Sequence, residues 1–375
     1  MKDHKNETNH RPISLLNSLS KVLERVVQPR FNGWVTESKI LSKFQSGFRA
    51  RHQTADHIIR ILQEGIESIN QDKFMGVLLV DLASAFDKVW HNGLLFKLHQ
   101  YKIPNYLGFW IKNYLSNRKG RIKIGQIYSE LFDILAGVPQ GSILGPILFI
   151  IFFNDIHRII SERTTLGTYA DDLTSWVINK HLKIIQNELQ LQLNSIHEWS
   201  FKWHMQVSVK KTNYIVIHRG NNNQKLELTY NNELINSEPN PKFLGVTLDK
   251  NLHLNKHADN LIHCAQKRIN MIRKIRGQNW GIDNRLTMIT YKVLIRSIFD
   301  YAPMAQLAMA KIHIDKFEVI QRKIIRMVTN WPQETSAIEI YKEIAPIYNL
   351  IPIKQRIEKL VDNYIGKASS HNESV

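Results

Sequence analysis

The apolar positions of this chain fall into two rhythms. From Thr54 onward, Ile58, Ile61, Leu62, Gly65, Ile66 and Ile69 return every three or four residues, which predicts a helix that Thr54 can cap. Phe74 to Val80 is instead a continuous apolar run, the pattern of a buried central strand. In Leu166–Val177 (LGTYADDLTSWV) two short apolar runs flank Asp171-Asp172, which predicts a tight β-hairpin carrying acids at its tip. Ala136–Ile156 (AGVPQGSILGPILFIIFFNDI) reads as a loop of Gly137, Pro139 and Gly141 that a ligand can approach closely. A bulky helix with Pro146 as its first residue follows.

Earlier in the chain, residues 1–10 are polar and read as a lead-in. RPISLLNSLSKVLERVVQPRF then fits a short extended piece and a helix, with Arg11, Lys21 and Arg25 among the apolar positions. FQSGFRARHQTADHII places a turn at Gly47 beside Arg49, Arg51 and His52. Toward the C-terminus, Ile262, Ala265, Ile269 and Ile272 form one helical stripe within 261–278, and Lys267, Arg268, Arg273, Lys274 and Arg276 decorate the rest. Residues 285–310 and 315–329 again have helical spacing, and Ser336 with Glu339 is a capping-box signature.

Composition narrows the class. A length of 375 residues suggests about two to three structural units. Fifty Lys and Arg against 33 Asp and Glu, a net charge of +17, point to a polyanionic partner. Nucleic acid is the first candidate and an anionic membrane the rival. No apolar stretch reaches the roughly 18 residues of a membrane span, and no signal-peptide pattern stands at the start. The lone Cys264 excludes disulfide frameworks and cysteine-ligated zinc, and reads as a packed small hydrophobe in a reducing compartment.

The acids carry the candidate chemistry. Neighbouring side chains of a regular strand point to opposite faces, so Asp171 and Asp172 share a ligand only where a turn breaks that alternation. Adjacent carboxylates repel unless a cation neutralises them, and an oxygen-only site suits Mg²⁺. By itself Ala-Asp-Asp is equally a solvated turn. Asp81 ends the apolar run 74–80; it is equally the N-cap of a helix starting near Ala83. Acids on two central strands are, however, what a two-metal phosphoryl-transfer centre needs. In such a centre Phe86 would lie against the sugar and crowd a 2′-hydroxyl; otherwise it is core. Asp87, Trp90 and His91 read as caps and packing.

In order, RPISLLNSLSKVLERVV, FQSGFR, LLVDLASAFDKVWH, GVPQGSILGPILF and YADD resemble the consecutive blocks of reverse transcriptases from jockey-type non-LTR retrotransposons. WSFKWHMQVSVKKTNYIVI and FLGVTLD continue the series to about Asp249. The resemblance implies an α+β right-hand polymerase with fingers, a palm with an antiparallel sheet, and a helical thumb. Its divisions would be fingers at 1–73, truncated at the N-terminus, palm at 74–250, and thumb with C-terminal helices at 251–375. It implies DNA synthesis from dNTPs on an RNA template and DNA primer. Asp81, Asp171 and Asp172 would hold two Mg²⁺ ions, with Mn²⁺ as a substitute. Phe86 becomes the sugar gate, Gln140 a contact to nucleotide and template, and Lys211 a neighbour of the triphosphate. Arg11, Lys21 and Arg49 would meet triphosphate and template backbone, and Phe243, Leu244, Gly245 and Val246 would grip the primer. A thumb helix carrying Lys267, Arg268 and Lys274 would track the duplex backbone. No membrane partner is implied, and the expected location is cytoplasm and nucleus.

Two positions depart from the pattern: His10 replaces an aromatic residue, and Ser208 stands where Asn is commoner. The endonuclease, the N-terminal finger extension and the cysteine knuckles of such elements are missing, so a fragment of a longer polyprotein or a truncated copy is expected. The alternatives are an RNA-templated RNA polymerase, which would want a polar residue at Phe86, a non-catalytic nucleic-acid-binding remnant, and a maturase-like intron protein.

Overall fold

The computed structural model describes residues 13–221, 224–277, 281–329, 331–332 and 334–369. In chain order the longer elements begin with α1 (Ser18–Glu37), α2 (Thr54–Asn70), β1 (Phe74–Val80), α3 (His91–Gln100) and α4 (Asn105–Leu115). Next come α5 (Gly145–Phe153), β2 (Thr165–Tyr169), β3 (Asp172–Asn179), α6 (Leu182–Lys202), β4 (Asn213–Ile217) and β5 (Asn236–Ser237). The C-terminal part is helical: α7 (Asn255–Arg276), α8 (Asn284–Tyr291), α9 (Lys311–Thr329), α10 (Ala337–Tyr348) and α11 (Ile353–Ser369). Contacts divide the chain into two compact units, one of Met1–Gln53, Met75–Tyr214 and Gln224–Ser237, the other of Thr54–Phe74, Ile215–Asn223 and Glu238–Val375.

A five-stranded sheet runs in the order β5-β4-β1-β3-β2; most of its residues belong to the first unit, while Phe74 of β1 and residues 215–217 of β4 are counted with the second. Strands β2 and β3 are antiparallel, while the edge pair β5–β4 runs parallel. Central β1 reads FMGVLLV, and five of its seven residues are buried, as its unbroken apolar run requires. Gly76 makes this packing possible: a β-carbon there would lie 2.4 Å from Ile185 of α6. Helix α5 (GPILFIIFF) is apolar on every side and starts on Gly145, one residue before the expected Pro146, and Leu148 through Phe153 are fully buried.

A cation enters this core as well. Lys97 is 1% exposed, and its Nζ donates to Asp155 at 2.6 Å and to the Phe152 carbonyl at 2.5 Å. The Trp203 ring centroid lies 3.7 Å from the ammonium. Burial pulls its pKa down to about 8, with Asp155 working in the opposite direction.

No helix starts near Ala83. Leu82 bridges to Val207, the Ala83 N–H donates to the Gln206 carbonyl, and Ser84 takes φ +50°. Backbone hydrogen bonds to neighbouring segments hold 82–90 as a loop, and α3 begins only at His91.

In the second unit, α7 and α9 bury complementary apolar stripes, Ala265, Ile269 and Ile272 on α7 and Phe317, Ile320 and Ile324 on α9. Cys264 lies one position off its stripe and is half-buried, so it is not the packed hydrophobe expected. The helical stretch predicted over 285–310 is interrupted at Ala302, which Pro303 excludes from the α region and which takes φ +50°. The capping box forms: the Glu339 N–H donates to Ser336 Oγ and the Ser336 N–H to Glu339 Oε2, both at 3.2 Å. Among the described residues, no helix is long and apolar enough to cross a membrane.

Candidate functional site

The acidic hairpin has a two-residue turn. Tyr169 pairs with Asp172, and Ala170-Asp171 make the bend. Ala170 takes φ +57°, a left-handed backbone that costs a residue with a β-carbon about 1–2 kcal/mol. Its neighbours hold it there. Buried Gln45 accepts the Ala170 N–H at 3.0 Å and donates to the Ala170 carbonyl at 3.2 Å. The same Gln45 Oε1 accepts the Gly47 N–H at 2.8 Å. Two backbone bonds join the segments, Ser46 N–H to Thr168 O at 3.0 Å and Thr168 N–H to Phe44 O at 2.9 Å. Gly47 lies so close to the turn that a β-carbon there would sit 2.2 Å from the Ala170 nitrogen.

Asp81 follows Val80, the last residue of β1, and β1 is the hydrogen-bonded neighbour of β3. Its N–H donates to Thr212 Oγ1 at 3.2 Å, and its carbonyl accepts the Ser208 N–H at 2.8 Å. Lys211, between these two anchors, brings Nζ to 3.7 Å from Asp81 Oδ1. That oxygen is buried and takes no hydrogen bond, a costly state that a hard cation relieves. Both side chains are partly exposed (66% and 40%), so the pair adds little stability. Its interest is chemical.

Phe86 is clamped, its ring stacked on Phe149 with centroids 4.4 Å apart and met edge-on by Phe48 at 6.1 Å. Gln140 directs its amide group at both carboxylate oxygens of Asp87, at 3.0 and 3.1 Å. His91 is joined to the Gly137 carbonyl at 2.9 Å, and burial lowers its pKa, so near neutral pH it is an uncharged donor to that loop. Arg49 spends its guanidinium on the Ser42 and Gln45 carbonyls at 2.9 and 3.1 Å. Lys21 is exposed on α1, and Arg11 lies outside the described residues.

Within the second unit, Phe243 and Val246 pair across a turn in which Leu244 (φ +43°) and Gly245 (φ +84°) are both left-handed, as a two-residue hairpin demands. The Tyr301 hydroxyl donates to the Leu244 carbonyl at 2.7 Å. On α7, Lys267 and Lys274 are exposed, whereas Arg268 donates to the Leu294 carbonyl.

Among the described residues, no three His, Cys, Asp or Glu side chains stand close enough to hold a metal ion. Asp81 faces the Lys211 ammonium, and adjacent carboxylates such as Asp171 and Asp172 repel unless a cation neutralises them. The donor type nevertheless fits Mg²⁺, since all three offer carboxylate oxygen.

Residues 3–248 match the family described as reverse transcriptase (RNA-dependent DNA polymerase). This chain belongs to the reverse transcriptase family. It is 29% identical over 391 residues to the RNA-directed DNA polymerase from mobile element jockey of Drosophila funebris, covering 98% of this chain and 40% of that protein. It is 26% identical over 378 residues to the probable RNA-directed DNA polymerase from transposon BS of Drosophila melanogaster, covering 99% of this chain and 41% of that protein. The chain thus spans about two fifths of the length of these relatives. Among solved structures, a telomerase from Candida tropicalis aligns with 92% of this chain and 56% of its own, at 14% identity and a TM-score of 0.43.

In this member of the family the residues that support the site carry little sequence signal. Glu24, fully buried on α1, accepts the N–H groups of Ile143 (2.6 Å) and Leu144 (3.1 Å), fixing the loop after Gln140. Gln45 and Gly47 set the hairpin tip, and Thr212 fixes the backbone of Asp81. Only an acid interrupting the helix pattern at Glu24, and the invitation of Ser-Gly to close approach, offered a signal.

Proposed function

We propose that this chain is the polymerase segment of a jockey-type mobile element, an RNA-directed DNA polymerase that extends a DNA primer with dNTPs on an RNA template. The observation that carries the reading is the pairing of Asp81 and the Asp171-Asp172 hairpin on hydrogen-bonded neighbouring strands, inside the segment that matches the family. Fingers at 1–73, palm at 74–250 and thumb from 251 go with it.

In the reaction the primer 3′-hydroxyl attacks the α-phosphate of a dNTP in line, and pyrophosphate leaves. Mg²⁺ ions bound by Asp81, Asp171 and Asp172 would supply Lewis acidity at the attacking and leaving oxygens. Lys211, already beside Asp81, neutralises triphosphate charge. Phe86, clamped between Phe149 and Phe48, bars a 2′-hydroxyl. Gln140, steadied by Asp87, borders nucleotide and template on its loop. Arg49, Lys21 and Arg11 offset backbone and triphosphate charge, and the Leu244-Gly245 turn steadies the primer strand. Lys267 and Lys274 meet the duplex backbone, while Arg268 braces α7 through the Leu294 carbonyl.

The test is primer extension by the full chain on a primed RNA template, comparing dNTPs with rNTPs in Mg²⁺ or Mn²⁺. Extension with dNTPs is expected, and Asp81→Asn or Asp171→Asn abolishes it without loss of the fold. A preference for rNTPs rejects the reading. Binding of template-primer with no extension in either metal makes the chain a nucleic-acid-binding remnant instead.

A further inference from the structure

The C-terminal end of α7 and the adjoining face of α9 enclose a cleft of about 870 Å³ within the second unit. Five cations line it, Arg273, Lys274, Arg276, Lys323 and Arg326, and among the described residues none that lines it is acidic. Trp331, Val319 and Met327 add apolar surface to the lining. The whole cleft lies beyond residues 3–248, the part that matches the family.

Two features mark it as more than a solvated surface. Cations at a helix C-terminus offset the dipole, which accounts for Arg273, Lys274 and Arg276 at the end of α7. It does not account for Lys323 and Arg326, which α9 adds to the same cavity at the cost of mutual repulsion. The tryptophan is also built in. The Arg326 guanidinium donates to the carbonyls of Pro332 (3.3 Å) and Thr335 (3.1 Å), bracing the segment that follows Trp331. A half-buried indole beside a ring of cations is the arrangement that takes a stacked base and its phosphates. A duplex hides its base faces and is too wide for a cavity in the size range of small-ligand sites, whereas a few unpaired nucleotides fit.

The geometry points to this cleft as a binding site for single-stranded RNA, with one base on Trp331 and the flanking phosphates on Arg273, Arg276 and Lys323. The choice of RNA rests on the polymerase reading above; the cleft belongs to the second unit and the candidate catalytic acids to the first. The strand it would hold is template that is not paired with the primer.

The test measures fluorescence anisotropy of the full-length chain with a labelled unpaired RNA of about twelve nucleotides and with an RNA–DNA duplex of equal length. Trp331→Ala is expected to weaken single-strand binding about five- to hundredfold, with duplex binding unchanged. Trp331→Phe, which keeps a stacking face, restores most of it. Lys323→Ala, at an exposed position, weakens it and flattens the log–log salt slope by about 0.7. Melting curves confirm that the variants fold. Single-strand binding unaltered in both Trp331→Ala and Lys323→Ala overturns the inference, as does an equal loss on duplex. Binding to phosphatidylserine vesicles that Lys323→Ala abolishes while RNA binding persists overturns it in favour of a membrane surface. Primer extension on a pre-annealed template separates the two readings: extension by wild type with no cleft effect sinks only the cleft, and cleft binding without any extension sinks only the polymerase.

Discussion

Replacing Gly47 by alanine asks whether the FQSGF segment sets the position of the hairpin acids. Gly47 lies at negative φ, so alanine is acceptable to its own backbone. The obstacle is contact: the new methyl would lie 2.2 Å from the Ala170 nitrogen, about 1.2 Å short of the 3.4 Å at which ordinary contact begins. Ala170 Cα at 2.9 Å and Gln45 Oε1 at 3.0 Å close the other directions. The two segments must part by about an ångström, which breaks the Gln45–Ala170 bonds and leaves buried amide groups unpaired. At about 1–3 kcal/mol for each stranded group, two losses give about 2–6 kcal/mol. In a unit of this size that lowers Tm by roughly 4–24 °C. The turn carries Asp171, and a displacement of about 1 Å at reacting groups costs on the order of a hundredfold in rate. The assay pairs a melting curve with single-turnover primer extension, and Gly33→Ala serves as the control. Gly33 sits within α1 with nothing within 4 Å of a built β-carbon, so alanine there should stabilise by about 0.5–1 kcal/mol. If Gly47→Ala extends primers at the wild-type rate and melts with it, the role given to this segment is wrong.

Three further outcomes are expected. Phe86→Ala removes the clamped ring and should raise ribonucleotide incorporation while lowering Tm through the lost stack on Phe149; unchanged discrimination in competitive dNTP/rNTP extension would place sugar selection elsewhere. Glu24→Ala strands the Ile143 and Leu144 N–H groups and should cost about 3–5 kcal/mol in denaturant unfolding, with a raised KM for dNTP as the Gln140 loop loosens; Glu24→Gln, keeping one acceptor, should lose less. Burial, helped by Lys242, lowers the pKa of His257 from 6.5 to about 4. Between those values the unfolded chain takes up a proton that the folded chain refuses, so stability falls as pH drops from 6.5 to 4, by up to about 3 kcal/mol. Unfolding curves of His257→Gln should lack that slope.

The sequence located the chemistry well because the signals were local. A strand buried on both faces must be apolar throughout, so Phe74–Val80 announced itself and put Asp81 at its end. A two-residue hairpin needs apolar runs on both sides of a polar bend, and LGTYADDLTSWV supplies them. Helix α5 was marked by Pro146 and an unbroken bulky run. The helix expected near Ala83 failed for a non-local reason, since Gln206 and Val207 capture the backbone of 82–83 before a helical turn closes.

Periodicity and turn chemistry depend on neighbours a few residues away, and so the sequence by itself determined which segments are strands, helices and bends, and which acids stand at their ends. What holds those acids depends on partners more than a hundred residues distant: Gln45 on Ala170, Thr212 on Asp81, Glu24 on the loop before α5. Hydrogen bonds of that span leave no spacing to read, because their geometry exists only once the sheet has brought the segments together. The cationic cleft around Trp331 is likewise a product of assembly, for α7 and α9 each read as an ordinary amphipathic helix until packing turns their charges toward one cavity.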